Sequence, residues 1–146
     1  MKLLKYNIDD TLLVSYFLRF SIAIGFLSAV LDRFGGWSKE VSVWGNWDNF
    51  VEYTGILNPW LPQIIIPIIA IIVTVLEIVL SVLLILGYRL NMTSKISGGL
   101  LLCFALAMMV FTGLKGVLDY SVFIASGGAF ALAVLQQRKN ESSKVD

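Results

Sequence analysis

From Trp60 to Gly87 the chain reads Trp-Leu-Pro-Gln-Ile-Ile-Ile-Pro-Ile-Ile-Ala-Ile-Ile-Val-Thr-Val-Leu-Glu-Ile-Val-Leu-Ser-Val-Leu-Leu-Ile-Leu-Gly, a stretch soluble in oil everywhere except at one carboxylate, Glu77. As an α-helix rising about 1.5 Å per residue, its apolar part from Gln63 to Leu86 covers roughly 35 Å, enough to cross a hydrocarbon layer of about 30 Å with some tilt. An ionised carboxylate at that depth costs about 2.5 to 3.5 kcal/mol on insertion scales, so Glu77 requires a cation, a proton or a wet cavity. What Glu77 faces therefore governs what the chain can do.

The rest of the composition agrees with a membrane setting. Of 146 residues, 58% are hydrophobic and only 14% charged, and the mean hydropathy is +0.83, so residues 1–146 read as a single membrane domain. A formal net charge of +1 supplies no basic field for nucleic acid. His is absent and Cys occurs once, at Cys103 inside an apolar run. That removes most ways of building a metal or haem site from this chain alone and excludes a CxxC dithiol, so any redox role must borrow a lipid-soluble quinone or a partner redox subunit.

Four apolar stretches, at about 11–30, 63–86, 95–114 and 117–138, predict an all-α integral membrane four-helix bundle with a Trp-rich interfacial loop over 31–62. The opening Met-Lys-Leu-Leu-Lys resembles the start of a signal peptide, but Asp9, Asp10 and Arg19 interrupt it, so the first stretch is expected to stay as an anchor. On a helical wheel, Ser15, Arg19, Phe26 and Arg33 share one side of helix one, and Ser21, Gly25, Ser28 and Asp32 form a second, small-residue side suited to helix contact. Ala70, Thr74, Glu77, Ser81 and Leu84 make the protein-facing stripe of the next span. Gly99 with Cys103, and Ser121, Ala125, Ala129 and Ala133, are expected as close-packing seams.

All four Trp fall between Trp37 and Trp60, where indole rings settle at the headgroup level. Within that loop a short helix is expected from about Asn46, with Trp47, Phe50, Val51, Thr54 and Leu57 on its apolar side and Asp48 and Glu52 on its wet side. Lys2, Lys5, Arg89, Lys95, Arg138, Lys139 and Lys144 outweigh Arg33, Lys39 and Lys115 on the other side, which puts both termini in the cytoplasm and the Trp-rich loop outside.

With that orientation Arg19 and Glu77 lie about 12 and 15 Å above the cytoplasmic ends of their helices, at similar depth on antiparallel neighbours. The expectation is that they pair, and that Ser15, Thr74 and Ser81 complete an intramembrane polar pocket for a quinone-like or other lipid-soluble small molecule. A pair that only fixes helix register is the equally weighted alternative. Outer-face candidates are Lys115 with Asp119, four apart and best read as a surface pair, and Asp32 beside Arg33, read as local neutralisation. A proton or solute pathway is disfavoured, because Ala70 and Pro67 do not continue the polar stripe.

The stretch Phe17-Leu18-Arg19-Phe20, followed by Gly25-Phe26-Leu27-Ser28-Ala29-Val30 and Asp32-Arg33-Phe34-Gly35, resembles the first-helix signature of DoxX-type membrane proteins. Glu77-Ile78-Val79-Leu80 leading to Leu86-Gly87 resembles their second helix, and Leu118-Asp119-Tyr120-Ser121-Val122-Phe123 the entry to their last. The resemblance implies a four-helix inner-membrane bundle associated with quinone-linked or thiol redox chemistry, with the family's intramembrane Arg and Glu carried over to Arg19 and Glu77. A non-catalytic structural or assembly subunit is the alternative.

Overall fold

The computed structural model describes residues 8–143, which form six helices and no strand: α1 (Ile8–Arg33), α2 (Trp47–Leu57), α3 (Ile66–Leu86), α4 (Leu90–Phe111), α5 (Leu114–Asp119) and α6 (Val122–Ser142). Lys2, Lys5 and Lys144, which enter the charge count, lie outside the described residues. Three helical segments, Asp10–Arg33, Ile66–Leu86 and Leu90–Phe111, are long and apolar enough to cross a membrane, and the chain reads as a membrane protein.

The expected fourth span over 117–138 is not one helix. Ser121 adopts a left-handed conformation that separates α5 from α6, and the last two turns of α6 carry Gln136, Gln137, Arg138, Lys139 and Glu141. Only about 21 Å of α6 is apolar at helical rise, short of a hydrocarbon core. The four long helices nevertheless close a ring, with α1 against α3 and α6, and α4 against α3 and α6. Ile22, Ala23 and Phe26 of α1, Leu80 and Leu84 of α3, Leu90, and Ala129 and Leu132 of α6 form the core between them.

Local chemistry accounts for the helix ends. Asn46 caps α2, its side-chain carbonyl accepting from the Asn49 amide at 2.9 Å. Pro67 falls in the first turn of α3, where its missing N–H has no partner to lose, so it starts the helix rather than kinking it. Gly87 ends α3 at φ +71°, with the Gly87 and Tyr88 amides turned back on the Leu84 and Leu83 carbonyls. The third long helix begins at Leu90, earlier than expected. Asn91 does not cap it but donates from Nδ2 to the Ala133 carbonyl at 2.7 Å, tying α4 to α6.

The expected stripe of α3 is buried along its length, at Ala70, Thr74, Glu77, Ser81 and Leu84, while Ile71, Ile72, Val75 and Val79 face outward. Two small-residue seams sit elsewhere than expected. On α4 the contact runs through Gly98, whose carbonyl accepts from Ser126 Oγ at 2.8 Å, while Gly99 has open space around it and Cys103 is exposed. On α1 it runs through Ile22, Ala23, Phe26 and Val30; Gly25 has no neighbour where a side chain would be, and Ser21 is exposed.

The α3 terminus depends on a glycine. A Cβ on Gly87 would stand 2.7 Å from Arg19 Nη2, which would have to give up its bond to the Ile85 carbonyl to move aside, and the positive φ adds strain. Gly87→Ala is expected to lower the unfolding free energy by about 1 to 2 kcal/mol, read as a lower thermal midpoint in detergent.

Candidate functional site

Glu77 meets Arg33, not Arg19. Arg33 Nη1 lies 2.5 Å from Glu77 Oε2, and both side chains are 2% exposed. The same nitrogen donates to Thr74 Oγ1 at 2.7 Å, and the Thr74 hydroxyl donates in turn to the Ala70 carbonyl at 2.8 Å. One face of α3 therefore receives the guanidinium at two successive turns.

The reason lies in how helical side chains lean, each tilting toward its own helix N-terminus. On antiparallel α1 and α3, Arg33 leans from the loop end into the bundle and Glu77 leans back toward the loop end, so the two converge. The contact of Ser81 Oγ with the Ala23 carbonyl, at 3.2 Å, marks a common level on the two helices. From it, Arg33 is about 15 Å toward the loop and Glu77 about 6 Å, a gap of about 9 Å that two inclined side chains close. Arg19 and Glu77 lean apart from backbone positions about 12 Å distant.

Arg19 does something else. Its Nε donates to the Leu84 carbonyl at 2.9 Å, which also accepts from the Gly87 amide, and its Nη2 to the Ile85 carbonyl at 2.8 Å, both in the last turn of α3. Its guanidinium carbon stands 4.9 Å from the centre of the Tyr16 ring. The expected pocket of Arg19, Glu77, Thr74, Ser81 and Ser15 is thus divided. Thr74 and Glu77 hold Arg33; Ser81 bonds main-chain carbonyls of Ala23 and Glu77; Ser15 lines a hollow with Arg19 near the opposite end.

The loop between α1 and α2, together with α2, roofs the ion pair. The Arg33 guanidinium carbon lies 3.8 Å from the centre of the Phe50 ring and 5.4 Å from that of Trp44, and those two rings meet edge-on with centroids 5.1 Å apart. Cation–π contact and the neighbouring carboxylate together compensate the guanidinium charge out of water. Asp32 is not a neutraliser of Arg33. It is 5% exposed and accepts from the Val43 and Trp44 amides, each at 2.9 Å, and from the Ser42 hydroxyl. Two adjacent residues at the end of α1 thus point to different tasks: Asp32 folds the loop down, and Arg33 receives the ring which that loop delivers.

Neighbouring groups extend the roof. Tyr53 stands 5.9 Å from Trp44, and burial pushes its phenol above the ordinary range, so it stays neutral. Trp37 Nε1 donates to the Ser28 carbonyl at 3.2 Å, and Trp60 packs on Phe111 of α4. Three polar atoms of the cluster are incompletely served. Arg33 Nε and Trp44 Nε1 are buried and meet no acceptor among the described residues, and Glu77 Oε2 touches Arg33 without a well-directed hydrogen bond. Lys115 and Asp119 form an exposed ion pair on α5, as expected for a surface pair.

Trp44 and Phe50 were not among the expected site residues, and Arg33 was expected only beside Asp32. The opposed lean of side chains on antiparallel helices was the available signal for Arg33; equal depth of the backbone positions was the wrong measure. Comparison with protein-family models, curated proteins and solved structures finds no match to the chain.

Removing one partner of a buried ion pair leaves an uncompensated charge, whereas removing both does not. Arg33→Met is therefore expected to cost about 3 to 5 kcal/mol, and R33M/E77L to recover most of that, in thermal unfolding of the detergent-solubilised protein. Asp32→Ala should release the loop while leaving the ion pair in place. Tryptic cleavage after the exposed Lys39 would then run several-fold faster than in the wild type, by about the factor that 1 kcal/mol of lost loop stability implies.

Proposed function

We propose that this chain is a DoxX-like integral protein of the inner membrane, with both termini in the cytoplasm, serving as a redox-associated subunit whose electron chemistry resides in a partner. The observation that carries this reading is the direction of the polar links around Glu77. They run from α3 through Arg33 to Trp44 and Phe50, and through Asp32 to the loop backbone. The buried charges therefore brace an outer aromatic cap on a helical anchor, as an assembly subunit requires. The redox association rests on the family resemblance, and the placing of that chemistry in a partner on the absence of His and of a second Cys from the sequence.

A second reading is favoured by the two buried donors, Arg33 Nε and Trp44 Nε1, beside the edge-on rings of Trp44 and Phe50. A quinone carbonyl is an acceptor of the kind they lack, and its ring suits Trp44 and Phe50. Quinone assay of detergent extracts separates the two. The subunit reading expects folded R33M/E77L protein and substoichiometric quinone in both variant and wild type. Stoichiometric quinone in the wild type, lost from a folded double variant, would replace it with the ligand reading.

A further inference from the structure

At the end of the bundle opposite the aromatic cap, α1, α4 and α6 leave a hollow of about 60 Å³. Thr11, Ser15 and Arg19 line it from α1, and Gln136 and Lys139 from α6. Past Leu90 and Gln136 it continues into an open depression edged by Arg89. Among the described residues, every charged side chain lining the two is a cation. The acids nearby are otherwise placed: Asp10 is exposed and lines neither hollow, and Glu141 accepts from Gln137 Nε2 at 3.1 Å.

Arg19 is set in advance for a ligand. Two carbonyls of α3 hold its Nε and Nη2, so the guanidinium is oriented, while Nη1 makes no hydrogen bond among the described residues. A fork already held in place loses little freedom on taking an anion. The hollow exceeds the roughly 10 to 15 Å³ that one water requires, and it opens toward the Arg89 depression, so an anion can enter it from that side. It lies level with the last turn of α3 and the first of α4, where apolar spans give way to headgroups.

We propose that this hollow binds a phosphate oxyanion, with Arg19 as the oriented fork, Lys139 and Arg89 as the outer cations, and the Thr11 and Ser15 hydroxyls as further donors. A phospholipid headgroup and free phosphate share that chemistry. The proposal stands apart from the reading of the Arg33 cluster, which lies at the other end of α1.

The test is thermal unfolding of the full chain in dodecyl maltoside micelles, which carry no phosphate, with either phosphatidylglycerol or inorganic phosphate titrated in. Wild-type protein is expected to gain stability with at least one of them: phosphatidylglycerol alone assigns the site to a lipid, inorganic phosphate alone to the free ion. In R89Q/K139Q, which alters two exposed side chains and should fold normally, half-saturation should weaken by about fivefold for each cation lost. Lys95→Gln removes an exposed cation at the same end but outside both hollows, and should respond as the wild type does. Stabilisation by neither anion would overturn the proposal, as would an unchanged response in R89Q/K139Q or an equal loss in Lys95→Gln.

Discussion

A carboxylate in the middle of an apolar helix has to be compensated where it stands, and Glu77 is compensated by a guanidinium that enters from the end of the neighbouring helix. Much of this end of the bundle follows from that contact. Arg33 is held at Glu77 and Thr74, its flat face is covered by Phe50, and Trp44 closes the side. In a medium that offers no water, each of these contacts substitutes for hydration that the charge has given up. The loop and α2 are therefore as much a part of the ion pair's environment as the spans are.

Asp32 and Arg33 show how adjacent residues divide work at a helix terminus. A cation is favoured at the C-terminal end of a helix and a carboxylate is not. Asp32 is nonetheless buried there because two loop amides and a hydroxyl converge on it. Nearer the middle of the same helix Arg19 serves α3 in the same currency, donating to the Leu84 and Ile85 carbonyls of its last turn. Both arginines of α1 thus act on α3, one through a side-chain charge and one through its backbone.

The sequence made some of this legible and hid the rest for identifiable reasons. The α3 stripe from Ala70 to Leu84 and the apolar face of α2 at Phe50, Thr54 and Leu57 follow from spacing alone, and both are buried as expected. The α4 seam was misplaced by one residue, because Gly98 and Gly99 are equally small and only the approach of α6 distinguishes them. The break between α5 and α6 was missed because Ser121, at positive φ, carries no glycine-like signal. Pairing Arg19 with Glu77 compared backbone depths and ignored that the two side chains lean in opposite directions.

By itself the sequence determined that the chain has helices able to cross a membrane and that Glu77 requires a partner, since hydropathy, helical period and the cost of a buried charge are properties of the local chain. It also determined where α2 starts and where α3 stops, because Asn46 and Gly87 act on backbone within a few residues of themselves. Which arginine answers Glu77 was decided only in three dimensions. Reach across two helices depends on their relative direction, their offset and the loop folded over them, and none of those is a property of residues adjacent in the chain.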